Sequence, residues 1–123
     1  GLSYTTFDIG KPVIDHSTMT MEGKITLRVP VTNTGKRYGA EVVQFYIADK
    51  KSSLPRPKKE LKGFCKIKLK PGETQTASFV IDKSLLSFYD DKLHKWIAEP
   101  GKFDAIIATS SDDVRHVVPF ILK

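Results

Sequence analysis

Carboxylates, three imidazoles and one thiol are the groups of this chain that could do chemistry. Asp49, Glu60, Glu73, Asp82, Asp90, Asp91, Glu99, Asp112 and Asp113 could supply a general acid and a general base, which must both reach one reacting group. Each falls in a turn, at a strand end or in a charged loop, where a carboxylate is ordinarily solvated or caps a turn. His16, His94 and His116 lie far apart, and no His-Glu-x-x-His or similar ligand spacing occurs. They read as structural histidines. Cys65 is the only cysteine, so no intramolecular disulfide can form, and with no histidine near it in sequence it reads as a small buried hydrophobe. There is no Gly-x-x-x-x-Gly-Lys phosphate loop and no Gly-x-Ser-x-Gly elbow. The sequence therefore offers no catalytic, cofactor-binding or metal-binding set.

The elements that would position these groups are strands. Ile25, Leu27, Val29 and Val31 alternate with Thr26, Arg28, Pro30 and Thr32 over Lys24–Asn33, the two-residue period of a half-buried strand. Pro30 cannot donate to a ladder and predicts an edge position or a bulge. Glu41–Ala48 puts Val43, Phe45 and Ile47 on one face and Val42, Gln44 and Tyr46 on the other. Both faces carry apolar groups, so something is expected to cover its outside.

Leu61–Leu69 predicts Leu61, Cys65, Ile67 and Leu69 inward and Lys62, Phe64, Lys66 and Lys68 outward, unless a bulge at Gly63 turns Phe64 inward. Pro71-Gly72 predicts a type II turn with a hairpin-like return into Thr74–Ile81, whose Ala77, Phe79 and Ile81 face inward. Asp82 is a candidate cap for one helical turn. Tyr4–Ile9, Thr18–Met21, Lys95–Ala98, Lys102–Thr109 and Val114–Leu122 complete the set, and Trp96, inside a strand, reads as a core or sheet-face anchor. Short strands with frequent turn signals and no long helix predict an all-β, immunoglobulin-like sandwich of seven or eight antiparallel strands in two sheets. Leu27, Val29, Val43, Phe45, Ile67, Phe79, Phe103 and Ile107 are its expected core.

The 123 residues suit one domain, and 40% hydrophobic with 28% charged residues is an ordinary globular composition. No stretch is apolar for long enough to span a membrane and none resembles a signal peptide. The net charge of +6 is concentrated: Lys50–Lys70 contains many of the 20 basic residues and only one acid, Glu60. Such a block could bind nucleic acid. It lacks the helix or interleaved aromatics of base recognition, so a solvated or partner-facing edge is the expectation.

The run VTNTGKRYGAEVVQFYIADKKSSLPRPKKELKGF (Val31–Phe64) carries a resemblance, continued by Leu69-Lys70-Pro71-Gly72-Glu73, Leu86-Ser87-Phe88-Tyr89-Asp90, Trp96-Ile97-Ala98-Glu99-Pro100-Gly101 and Ser110-Ser111-Asp112 in order. These pieces resemble the C-terminal fibronectin type III-like domain of family 3 glycoside hydrolases of the β-glucosidase and β-xylosidase type. The resemblance implies one such domain over residues 1–123, with Gly1–Thr5 leading in from a preceding catalytic region. It implies a non-catalytic accessory role without a cofactor, in a secreted or periplasmic enzyme that cleaves terminal β-linked sugars. The implied partners are the catalytic domains of the same polypeptide and, through them, its carbohydrate substrate, with no nucleic acid or membrane. That family's nucleophilic aspartate follows a serine and precedes a tryptophan in an N-terminal barrel; no Ser-Asp-Trp occurs here, and the acid/base glutamate is expected elsewhere too.

Arg56, Lys59, Glu60, Phe64 and Tyr46 are the candidate interdomain contacts. Asp49–Gly63, stiffened by Pro55 and Pro57, is too long for a tight hairpin, and Arg56 between two prolines suits a planar bond to a carboxylate or carbonyl of a partner domain. Two other functions fit less of the sequence. A carbohydrate-binding module would use Trp96, Tyr38, Tyr46 or Phe64 for stacking, and a nucleic-acid-binding domain would use the Lys50–Lys70 block.

Overall fold

Alternation is obeyed where it is longest: Ile25, Leu27, Val29 and Val31 are all fully buried along one strand. The computed structural model describes residues 5–50 and 59–123. In chain order the strands are β1 (Phe7–Ile9), β2 (Val13–Ile14), β3 (Thr18–Met19), β4 (Ile25–Asn33), β5 (Gly39–Asp49), β6 (Glu60–Leu69) and β7 (Thr74–Ile81). The short helix α1 (Lys83–Leu86) follows, then β8 (Phe88–Asp90), β9 (Lys95–Ile97), β10 (Gly101–Ser110) and β11 (Asp113–Leu122).

Two sheets form the sandwich. In one, β4 pairs along its length with β7 on one edge and with β1 and β2 in succession on the other. The second has the order β3-β11-β10-β5-β6. A separate hairpin, β8-β9, stands outside both. All pairings among the described residues are antiparallel except β3 with β11. The strand count exceeds the expected seven or eight; β2 and β8, which no expected strand covers, are too short for alternation to register.

All eight expected core residues lie in one buried cluster between the sheets. Phe45 of β5 and Phe79 of β7 stack across the interface with ring centroids 5.0 Å apart. Phe103 and Phe120 stack at 5.6 Å on neighbouring strands.

Several local expectations are corrected. Pro30 lies in the central strand, opposite Thr76, and neither at an edge nor in a bulge of its own. The irregularity is in its neighbour: Gly10, Lys11 and Pro12 separate β1 from β2 opposite Val29 and Pro30. The Pro30 carbonyl accepts from Gly10 N at 2.8 Å, so the imide nitrogen faces this break and the β7 ladder loses no donor.

In β6 a register shift falls at Lys62, between the Phe45–Gly63 and Tyr46–Leu61 pairs. It turns Leu61 outward, 51% exposed, and leaves Phe64 outward as well. The Pro71-Gly72 turn is type II, with Gly72 at φ 79° and Glu73 N donating to Lys70 O at 3.0 Å. It does not return the chain beside β6, however. β6 and β7 belong to different sheets, so the turn crosses the sandwich.

That crossing is fastened by Asn33, the last residue of β4 and fully buried. Its Nδ2 donates to Arg37 O at 2.8 Å and Leu69 O at 2.9 Å. Its Oδ1 accepts from Thr5 Oγ1 and Gly35 N, each at 2.9 Å. Its backbone takes up Gly72 N at 2.8 Å and Glu73 O at 3.0 Å. Gly35 has no room for a side chain here, because a Cβ would overlap Thr5 Oγ1 and come within 2.9 Å of Thr6 N.

Asp82 caps α1 as expected, accepting from Leu85 N at 3.2 Å and Ser84 Oγ at 2.6 Å. The Ser84 hydroxyl chiefly holds its carboxyl below the usual aspartate range. Asp82→Ala should cost about 1 kcal/mol, read from the urea midpoint near neutral pH. Because the folded value is depressed, the carboxylate's contribution is present above the unfolded value of about 4 and is lost as pH falls through the lower, folded one. The difference between wild type and variant should therefore shrink in acid.

Candidate docking face

On the five-stranded sheet the outward positions line up across strands. Leu61 of β6 stands opposite Tyr46 of β5, Tyr46 opposite Ile106 of β10, and Ile106 opposite Val117 of β11. The next row runs Phe64, Gln44, Ala108, Val114. Tyr46, Ile106 and Ala108 form a second buried cluster with Ala48 packed against it, although they sit on the outside of the sandwich. Val117 and Leu61 remain about half exposed and Phe64 is 69% exposed.

The other sheet has a different outer surface. There Thr26, Arg28, Pro30 and Thr32 face out beside Val80, Ser78, Thr76 and Thr74. The Thr32 and Thr74 hydroxyls bond at 2.7 Å. One face of the sandwich is thus mostly hydroxylic and the other largely aliphatic and aromatic, and contiguous exposed apolar patches mark interaction surfaces.

Lys59 completes the apolar face. Its Nζ sits 4.8 Å from the Tyr46 ring centroid and donates to Ser111 O at 2.7 Å, so its stem crosses the seam toward the β10–β11 turn. The Tyr46 hydroxyl donates to Gln44 Oε1 at 2.6 Å. A shallow groove remains, lined by Ala48, Lys59, Asp104, Ile106, Val114 and Val117. Lys50 Nζ lies 3.2 Å from Asp104 Oδ1 without hydrogen-bond alignment, a purely electrostatic pairing.

The structure brings Tyr46, Lys59 and Phe64 to this face. Glu60 stands opposite Ile47, on the inward parity, and pairs with Lys62 at 3.0 Å. Arg56 lies outside the described residues, as does most of the Asp49–Gly63 stretch. Ile106, Val114 and Val117 were missed as face residues, although their outward parity in two apolar strands was the signal. Trp96 is corrected: it is 69% exposed on the hairpin, its ring edge-on to Tyr89 at a centroid distance of 5.7 Å. Tyr38 is half exposed in the β4–β5 connection. The four aromatics considered for sugar stacking therefore lie on four separate elements, β9, the β4–β5 connection, β5 and β6, and of them Tyr46 and Phe64 share a face.

Elsewhere the titratable groups are tied into the scaffold. Arg115 makes a two-pronged bond to Asp113, Nε to Oδ1 at 2.9 Å and Nη2 to Oδ2 at 3.0 Å. With the Thr109 hydroxyl, it holds the Asp113 carboxyl below its usual range. Burial raises that of Glu41 nearby. His116 Nε2 lies 2.8 Å from Ile9 O and so links the two sheets. Among the described residues no three His, Cys, Asp or Glu side chains are placed to share a metal ion.

A family model for the fibronectin type III-like domain matches residues 41–111. The β-glucosidase BoGH3A of Bacteroides ovatus is 51% identical over 120 residues, 98% of this chain but 16% of that protein. The periplasmic β-glucosidase of Salmonella typhimurium is 50% identical over 116 residues, 94% of the chain and 15% of that protein. Among solved structures, a β-glucosidase of Erythrobacter marinus superposes with a TM-score of 0.91 at 34% identity, covering all of this chain and 16% of that one. The chain thus spans about one sixth of these relatives, 15–16% of each. The matched residues run from within β5 to the end of β10 and so supply strands to both sheets of the sandwich. The chain belongs to the fibronectin type III-like domain family.

Proposed function

We propose that this chain is a non-catalytic accessory domain of a family 3 glycoside hydrolase of the β-glucosidase type. It packs against the catalytic part of the same polypeptide, with Gly1–Thr5 as the lead-in and the outer face of the five-stranded sheet as the contact. The observation that carries the reading is the inequality of the two outer faces: Leu61, Tyr46, Ile106 and Val117 make an apolar row across four strands, where a free sandwich would be expected to present polar groups. The similarity to β-glucosidases many times longer supports the same reading. Hydrolysis of terminal β-linked sugars would then rest on two carboxylates outside this chain.

The 123-residue chain should release no nitrophenol from an aryl β-glucoside, whereas the longer polypeptide carrying it should. Val117→Lys should lower the melting temperature of the longer polypeptide and leave that of the chain nearly unchanged. Turnover by the purified chain, abolished by a single Asp or Glu substitution, would move the chemistry onto it. The exposed Trp96–Tyr89 pair favours one other reading, a carbohydrate-binding module. Calorimetric binding of cellulose, xylan or β-glucan by the chain, lost in Trp96→Ala, would support it.

A further inference from the structure

Among the described residues the charge on the apolar face that is not already ion-paired is of one sign. Lys66 and Lys68 stand outward on β6, opposite Val42 and Ala40, and Lys102 stands outward on β10, opposite Ile121. Lys59 lies on the seam itself. Among the described residues none of these four lysines has a carboxylate within ion-pair distance. Among the described residues the Lys59 ammonium meets a carbonyl oxygen and a ring face and no carboxylate. Asp104 and Asp113, toward opposite ends of the face, are already engaged by Lys50 and Arg115.

Whatever covers the groove must take Lys59 further out of water. An ammonium desolvated without a counter-charge is costly, and one neutral carbonyl does not offset it; a carboxylate does, through a charge-assisted bond. A second copy of this chain would set lysines against lysines, which opposes self-association through this face. From this one-signed rim around an apolar row, we infer that the occupant is a protein surface presenting carboxylates around an apolar centre, within the same longer polypeptide. The inference rests on the docking reading above and adds the chemistry of the partner.

The test uses two variants, Lys66→Glu/Lys68→Glu and Val117→Lys, in the longer polypeptide and in the 123-residue chain. Lys66 and Lys68 are exposed and make no ion pair, so the chain alone should melt within about 1 °C of wild type. In the longer polypeptide the double charge reversal should lower the melting temperature by about 4 °C or more in roughly 0.05 M salt. It should lose at least half of that effect in about 0.5 M salt, where screening is several-fold shorter in range.

A salt-independent drop, an equal drop in both proteins, or none overturns the acidic partner. If Val117→Lys still destabilises only the longer polypeptide, the docking reading stands and the covering surface lacks carboxylates. If neither variant discriminates between the two proteins, the docking reading falls as well. Sedimentation of the longer polypeptide with phosphatidylglycerol vesicles, lost in Lys66→Glu/Lys68→Glu, would replace the protein partner with a lipid surface.

Discussion

Phe79→Ala should lower the stability of the 123-residue chain by about 3–5 kcal/mol, a shift readily seen in the urea midpoint. Phe79 is 8% exposed, stacks on Phe45, and packs with its ring edge 3.7 Å from the Cβ position of Gly63. Truncation would remove an aromatic stack that joins β7 of one sheet to β5 of the other and leave a void. The backbones are tied to their own ladders and cannot close it. A loss below about 1 kcal/mol would mean that Phe45 and Gly63 collapse into the space, placing the mechanical centre of the core elsewhere. Leu→Ala changes scale similarly, but Phe79 adds the stacking contribution of about 0.5–1.5 kcal/mol.

Asn33→Ala should cost about as much, roughly 3–4 kcal/mol, without removing apolar surface. The side chain uses both of its donors and both lone-pair directions, and the variant would leave the carbonyls of Leu69 and Arg37 and the Gly35 N–H without partners. Asn33→Asp separates hydrogen bonding from size. It keeps the acceptors for Thr5 and Gly35 but turns a second oxygen toward two carbonyls. That repulsion, with burial, would raise the new carboxyl's pKa in the folded state. The variant's stability would then be greatest below the unfolded value of about 4 and would fall as pH rises through the higher, folded one. A pH-independent loss in Asn33→Asp, equal to that of Asn33→Ala, would show that the polar contacts at Leu69 and Arg37 contribute little.

Long alternations made the sandwich legible. Those of β4, β5 and β7 give the two inner faces directly, and the Pro71-Gly72 turn could be typed from its residue order. Its destination could not, because a type II turn fits a return beside β6 as well as a crossing to the other sheet; the deciding contact is Asn33 with Leu69, remote in sequence. Leu61 was misread for a related reason. The register shift at Lys62 inverts parity for the residues before it, and Gly63 alone does not say on which side the inversion falls. β8 was hidden because Phe88, Tyr89 and Asp90 are too few to show a period, and Trp96 then seemed to belong to a buried strand. Of the candidate contacts, Tyr46 was visible as an apolar residue on the wrong parity. The rest of the row depends on which strands are neighbours.

The pairing order also bears on time. β4 and β7 are partners across a long intervening sequence, with Thr32 and Thr74 already 42 residues apart, and His116 joins Ile9 over 107 residues. Closing such loops costs chain entropy before any ladder rewards it, so topologies of this kind assemble on the millisecond-to-second scale. The local pairs β10–β11, β5–β6 and β2–β4 can come together first, while the other edge of β4 must wait for β7. Until then Ile25, Leu27, Val29 and Val31 form an exposed, strongly β-prone ribbon, and the interval before β7 arrives is when this chain is most open to aggregation.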